Sequence, residues 1–216
     1  MSGVAGIATA VSRGERARLT ESLHLLLRSA RPRQWPKNAV VLLGLVFARY
    51  LFDPVPLSRA VLAMLLFCIV SVAVYLVNDL LDAEKDRLHP VKSRRPIASG
   101  RLSPTLAWIT ASVAGVGGLV ASFLLAPGFG AIVAGYLALQ AAYVGFFKHA
   151  VILDVLILAS GFVLRAIAGA VVIGVPISPW LYVCTMLLAL FLALGKRRQE
   201  LVLLSGSAGG HRPSLD

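Results

Sequence analysis

Six long runs of apolar residues divide the chain, at roughly Asn38–Phe52, Leu57–Leu80, Pro104–Ala126, Gly128–Phe147, Val151–Val175 and Pro179–Leu194, with the charged residues gathered between them. A run such as Ala60–Val77 contains nothing more polar than a serine. At about 1.5 Å per residue it crosses most of a hydrocarbon core about 30 Å thick. Turn-forming residues separate neighbouring runs: Pro127-Gly128 between the third and fourth, and Gly174, Pro176 and Pro179 between the fifth and sixth. The pattern predicts six transmembrane helices in an all-α, polytopic membrane bundle. Met1–Arg33 is basic and lacks the apolar core of a cleavable signal peptide. Within it, Glu21–Arg31 reads as a partly amphipathic surface helix. The expected organisation is a basic segment at 1–30, a membrane domain at 31–204 and a tail at 205–216.

Composition agrees with a lipid solvent, since the 216 residues are 58% hydrophobic and only 14% charged. The net charge of +11 would suit a nucleic-acid binder, but a domain that reads DNA does not come embedded in six apolar spans. The bases are instead distributed by side. Arg13, Arg16, Arg18, Arg28, Arg31, Arg33 and Lys37 precede the first span, and Lys85, Arg87, Lys92, Arg94, Arg95 and Arg101 lie between the second and third. Lys148 follows the fourth span and Lys196, Arg197 and Arg198 follow the sixth, whereas the opposite connections hold only Arg49 and Arg59. The positive-inside bias therefore predicts a multi-pass protein of the plasma membrane with both termini and the Lys/Arg-rich loops in the cytoplasm. Cys68 and Cys184 fall inside spans, where they pack as small apolar residues and suggest neither a disulfide nor a metal site.

Topology does not explain why acids accompany bases in one loop. Four of the ten acidic residues lie in Asn78-Asp79-Leu80-Leu81-Asp82-Ala83-Glu84-Lys85-Asp86, at the cytoplasmic end of the second span. If the helix continues through this stretch, Asp79, Asp82 and Asp86 fall at i, i+3 and i+7 on one face, with Asn78 beside Asp82. Three like charges on one stripe repel, and carboxylates at a helix C-terminus oppose the macrodipole. A bound divalent cation removes both penalties, and hard oxygen ligands that leave room for waters and substrate phosphates suit Mg²⁺. A solvated helix end paired with Lys85, Arg87 and Arg94 is the plainer reading. It loses because Asp79 lies at the membrane boundary, where a carboxylate without a partner is costly. Downstream, Arg87-Leu88-His89-Pro90-Val91-Lys92-Ser93-Arg94-Arg95-Pro96-Ile97 fixes bases on a non-helical path. Acids that hold Mg²⁺ followed by fixed bases form a clamp for a diphosphate.

Other polar residues intrude on the spans. Asp154 and Arg165 are eleven residues apart in the fifth span, about three helical turns, and so share a face pointing into a bundle or a cavity. Tyr143, Lys148 and His149 precede that span, and Lys196, Arg197 and Glu200 follow the sixth, on the same predicted side. Taken singly, each is an ordinary interfacial anchor.

At these residues a family becomes recognisable. Asn78-Asp79-x-x-Asp82-x-x-x-Asp86 on a membrane helix resembles the first Asp-rich motif of the UbiA superfamily of intramembrane prenyltransferases. Within it, the runs Arg31-Pro32-Arg33-Gln34-Trp35-Pro36-Lys37-Asn38 and His89-Pro90-x-Lys92-x-x-Arg95-Pro96-Ile97-Ala98 resemble the decaprenyl-phosphate phosphoribosyltransferase family. So do Lys148 to Asp154, Gly161-Phe162-x-x-Arg165-Ala166-Ile167-Ala168-Gly169 and Gly195-Lys196-Arg197, in order along the chain. The resemblance implies a helical bundle that binds Mg²⁺ and a diphosphate at a cytoplasmic cavity. It further implies transfer of 5-phosphoribose from phosphoribosyl pyrophosphate to decaprenyl phosphate, toward the arabinose donor of mycobacterial-type cell walls. Such proteins have about nine membrane helices, so a chain with six is expected to be C-terminally incomplete and less active alone. The second Asp-rich motif of typical prenyltransferases is absent after span six, where Glu200 remains behind two bases.

On this reading Asp79, Asp82, Asp86, Lys92 and Arg95 carry catalysis, with Mg²⁺ on Asp79 and Asp82 helped by Asn78 or Asp86. Lys37, Asn78, Arg87, Arg94, Tyr143, Lys148, Asp154, Arg165, Lys196, Arg197 and Glu200 are the expected substrate contacts. A phosphoribosyltransferase must hold a diphosphate, a ribose phosphate and a lipid phosphate together, and the excess of cations favours three anionic groups over the one that a prenyltransferase ionises. The alternatives are a UbiA-type prenyltransferase making a quinone, haem or lipid precursor, a membrane transporter using Asp154 and Arg165 along its path, and an inactive fragment. The expected partners are polyprenyl phosphate, phosphoribosyl pyrophosphate and membrane lipid, with no nucleic acid; self-association into a homo-oligomer is left open.

Overall fold

The computed structural model describes residues 20–147 and 151–208, and among them every regular element is helical. Residues 20–29 form α1, followed by a 3-10 segment at Pro32–Leu42, α2 at Leu43–Phe47, α3 at Pro54–Leu81 and the short α4 at Ala83–Arg87. After a loop come α5 (Pro104–Leu125), α6 (Pro127–Ala142), a π-helical turn at Tyr143–Phe147, α7 (Val151–Val172) and α8 (Pro179–Ala208). Prolines open four of the long helices, α3, α5, α6 and α8. At the first position of a helix proline's fixed φ fits and its missing N–H costs nothing.

Four stretches among the described residues are long and apolar enough to cross a membrane: Pro54–Leu81, Pro104–Leu125, Pro127–Gly145 and Val155–Val172, with a shorter one at Pro179–Gly195. The protein is accordingly a multi-pass membrane protein. The expected first span is not a single α-helix. Its residues run through the 3-10 segment, which contains Pro36, then α2, and then a turn at Arg49, whose φ of 62° ends the helix. At the other end α8 passes beyond Leu194 to Ala208, because Lys196, Arg197, Arg198, Gln199 and Glu200 are good helix formers that do not interrupt it.

The described chain divides into two compact units. The first comprises Met1–Asn38 and Leu65–Ser122. Its core joins Leu25 of α1, Leu76 of α3, Ile97 and Leu102 of the loop, and Ala107 and Ala111 of α5, with Val72, Val77, Leu80 and Leu106 packed around them. The amphipathic reading of α1 holds on its inner side, while Leu23 and Leu27 are exposed. Gly118 of α5 meets α3 at Val70, where an added Cβ would lie 2.8 Å from the Val70 side chain.

The second unit comprises Ala39–Met64 and Phe123–Asp216. In it α7 packs against α2, α6 and α8. Contact with the N-terminal segment is so close that a Cβ on Gly169 would lie 1.8 Å from the Val41 carbonyl oxygen, and one on Gly44 2.9 Å from the Ala170 backbone. Small residues at these crossings let backbones approach where lipid supplies no hydrophobic drive between helices.

Candidate active site

The last turns of α3 carry Asn78 and Asp79 into the first unit, and Asp79 is 3% exposed. A buried carboxylate needs partners. Its Oδ1 accepts from Arg95 Nη1 at 3.0 Å and from Arg31 Nη2. Arg95 Nη1 also donates to Asp86 Oδ2 at 2.6 Å, so one guanidinium ties together carboxylates at the end of α3 and within α4. Asp82 lies between them at the break in the helix, half-buried, with φ −93° and ψ 0°. The backbone bonds Asp82 N–H to Asn78 O and Asp86 N–H to Asp82 O keep the helical path nearly continuous across that break. Among the described residues no three His, Cys, Asp or Glu side chains converge tightly enough to hold a metal. Of the expected triad, Asp79 and Asp86 are thus linked through Arg95, with Asp82 at the helix break between them in sequence.

The loop that delivers Arg95 is built rather than slack. His89 Nδ1 accepts the backbone N–H groups of Val91 and Lys92, at 3.1 and 3.3 Å, and turns the chain after Pro90. Arg95 N–H bonds to Lys92 O, Leu102 N–H closes onto Pro96 O, and Gly100 adopts φ 74°. Only glycine takes that backbone without strain. Pro96, Ile97 and Ala98 are buried, and Arg87 donates from Nε to Ala98 O at 3.3 Å. Arg87, though itself exposed, braces the loop through this bond; Lys92 and Arg94 are exposed as well.

Arg31 arrives from the opposite direction in sequence, 48 residues from Asp79. It follows α1 with φ 51°, a left-handed backbone that costs a non-glycine residue about 1–2 kcal/mol. Trp35 Nε1 donates to Ala30 O at 3.1 Å and Gln34 N–H to Arg31 O at 2.8 Å, and these bonds hold the turn. The guanidinium carbon lies 5.3 Å from the centre of the Tyr75 ring. Such a contact favours a cation.

These groups enclose a cavity of about 240 Å³ lined by Arg28, Ser29, Arg31, Asp79, Val91, Lys92, Arg94, Arg95 and Pro96. Five cationic side chains face it against one carboxylate, so its chemistry suits a polyanion. Among the described residues, Ser29 Oγ on the cavity wall and Asn78 Oδ1, next in sequence to Asp79, are buried oxygens with no hydrogen-bond partner. An acceptor left in that state costs about 1–3 kcal/mol. Asn78 Oδ1 is a hard oxygen donor of the kind Mg²⁺ takes, so Asn78 and Asp79 fit an ion that fills its remaining positions with waters and substrate phosphates.

In the second unit, buried Arg165 donates to Gly161 O at 2.8 Å and to the Tyr136 hydroxyl at 3.0 Å. Its guanidinium also lies over the Tyr136 and Phe162 rings, at 4.7 and 6.0 Å. Asp154 is on the same helix, but its side chain, like those of Lys196, Arg197 and Glu200 on α8, lies outside the described structure, as does Lys148 entirely. Tyr143 is half-buried on the π-helical turn and Lys37 is exposed on the 3-10 segment. Arg31, Arg28, Ser29 and Tyr136 were not expected at a site. Their one signal, for Arg31, is its position at the head of the run Arg31–Asn38.

Residues 38–199 match the UbiA prenyltransferase family. The chain belongs to that family. Among UbiA relatives, the decaprenyl-phosphate phosphoribosyltransferase of Mycolicibacterium smegmatis is 38% identical over 195 residues, covering 88% of this chain and 61% of the relative. The enzyme of the same name from Mycobacterium tuberculosis H37Rv is 38% identical over 196 residues, covering 88% and 65%. This chain therefore spans a little under two thirds of those relatives' length. A UbiA homologue from Archaeoglobus fulgidus, solved with DMAPP and Mg²⁺, superimposes with a TM-score of 0.64 at 24% identity, over 76% of this chain and 60% of the other. That likeness establishes the UbiA-like fold of the helical bundle.

Proposed function

We propose that this UbiA-family chain carries the site of a Mg²⁺-dependent transferase that moves 5-phosphoribose from phosphoribosyl pyrophosphate to decaprenyl or another polyprenyl phosphate, in synthesis of a cell-wall precursor. The observation that carries the reading is the cavity beside Asp79, where five bases face one carboxylate. A single prenyl diphosphate beside an apolar acceptor needs fewer cations than a donor and an acceptor that are both phosphorylated. The names of the mycobacterial relatives support the same substrates.

Asn78 and Asp79 would hold Mg²⁺ together with retained waters and substrate phosphate oxygens, with Asp82 and Asp86 supplying negative charge nearby. When bound, it supplies positive charge against the pyrophosphate that leaves the anomeric carbon. The chain's own bases do the rest. Arg95, fixed between Asp79 and Asp86, sits where it orients a diphosphate, and exposed Lys92 and Arg94 at the rim attract the anionic groups. The acceptor phosphate is already ionised at neutral pH, so displacement through an oxocarbenium-like state at the sugar needs no protein base. We place the protein in the cell membrane with this cavity toward the cytoplasm, from the Lys/Arg asymmetry of its loops.

The test is purified protein in lipid, given decaprenyl phosphate with labelled phosphoribosyl pyrophosphate or an aromatic acceptor with labelled prenyl diphosphate. Label entering the lipid phosphate only from the sugar donor, and only with Mg²⁺, is the expected result. Transfer from the prenyl donor alone would replace this reading with a prenyltransferase.

A further inference from the structure

Arg31 and Arg95 both contact Asp79 Oδ1, the atom that the proposed metal site would use, yet they are held differently. Arg95 bridges two buried carboxylates, Asp79 and Asp86. Arg31 has one carboxylate partner among the described residues, a side chain 26% exposed, and a place on the cavity wall beside Arg28 and Ser29. Its turn is pinned by the Trp35 and Gln34 hydrogen bonds, and its guanidinium also lies 5.3 Å from the Tyr75 ring centre, so leaving the carboxylate requires no change of backbone. Two guanidinium groups on one carboxylate oxygen repel an approaching dication, whereas the neighbouring Asn78 Oδ1 has no donor among the described residues.

We propose that Arg31 is a positioning residue that exchanges partners. Before substrate binds, its guanidinium neutralises Asp79; when a diphosphate enters the cavity, the guanidinium transfers to a phosphate oxygen and frees the carboxylate for the cation. Cation and diphosphate then bind as a coupled pair, each weak without the other. This inference rests on the reading of Asp79 and Asn78 as metal ligands. The exchange makes Arg31 an antagonist of the metal alone and an ally of the phosphate. A residue that only props the fold would help or harm both together.

The experiment measures binding by the purified chain in lipid nanodiscs, without turnover. Mn²⁺ affinity in the absence of phosphate is read by electron paramagnetic resonance, and inorganic pyrophosphate affinity at saturating Mg²⁺ by calorimetry. Arg31→Gln is expected to tighten Mn²⁺ about tenfold and to weaken pyrophosphate about tenfold, the scale of one charge-assisted contact. Arg31→Lys keeps the charge but loses the forked donor, and should shift both affinities in the same directions by less. It decides the question if the glutamine variant does not fold. Either variant weakening both ligands, or leaving Mn²⁺ affinity unchanged, overturns the exchange. Asp79→Asn separates the two levels. If it leaves Mn²⁺ binding intact, the metal-site reading fails and the exchange with it; if it abolishes Mn²⁺ binding while the Arg31 variants show no opposed shifts, the exchange alone fails.

Discussion

At Asp79, a carboxylate with 3% exposure, the sequence argument about cost at a membrane boundary meets its answer in two arginines. Asp79→Asn keeps the shape of the side chain but removes its charge. It is expected to leave the protein inserted and to lower transfer at least about a hundredfold, the scale of removing one electrostatic contact to a developing charge. Insertion by membrane fractionation and turnover with labelled donor check the two halves; near-normal Mg²⁺-dependent turnover would remove Asp79 from the site. Arg95 makes a second test. Arg95→Met removes the Arg95 partner of both buried carboxylates but leaves Arg31 on Asp79, and because the Arg95 side chain is 29% exposed the cost should be about 1–3 kcal/mol, less than for a fully buried pair. With Asp86→Asn added, the loss should be less than the sum of the two single losses, by about 0.5–2 kcal/mol. Thermal unfolding of the four proteins in one detergent measures this, and strict additivity would contradict the bridge. The acids and Arg95 were legible because spacing and charge mark them locally. Arg31 was not, because a base 48 residues away reads as topology until the fold brings it across.

Helix limits were legible where proline marks a start. Leu57–Leu80 was expected and Pro54–Leu81 found, and Pro104–Ala126 became Pro104–Leu125. Asn38–Phe52 was not, because hydropathy sees an apolar run whatever its backbone, and only Pro36 hinted at the 3-10 path. Also invisible was which glycines are contacts. Gly169→Ala would drive a methyl group into the Val41 carbonyl, an atom that cannot turn aside, and should cost well over the 1–3 kcal/mol typical of overpacking. Gly118→Ala meets chiefly the Val70 side chain, at 2.8 Å, with Ile69 and the Val70 backbone at ordinary contact distance, and should stay within that range. Gly117→Ala and Gly135→Ala, with nothing within 4 Å, should be neutral or stabilising by up to about 1 kcal/mol. Fluorescence-detected size exclusion after graded heating ranks the four; a Gly169 variant as stable as the Gly135 variant would refute the close approach.

For the whole molecule, one helix turns the side of the membrane that the Asp79 cavity faces into a measurement. α3 runs 28 residues from Pro54 to Leu81, about 42 Å, longer than a hydrocarbon core of about 30 Å, so its two ends emerge on opposite faces. Asp53 precedes one end, and Asp82 with the loop carrying Leu88 follows the other. Six bases lie between Leu81 and Pro104, against Arg49 and Arg59 near the other end, and Lys/Arg bias near helix ends sets orientation. Phosphorylated substrates made in the cytoplasm would reach the cavity only from that side. Single cysteines test it in a Cys184→Ser background, since Cys68 is buried. Asp53→Cys should react with a membrane-impermeant maleimide in intact cells, while Leu88→Cys, at a position 90% exposed, should react only after permeabilisation. The reverse pattern would put the cavity outside, where the proposed sugar donor is not supplied, and would require a substrate of a different origin.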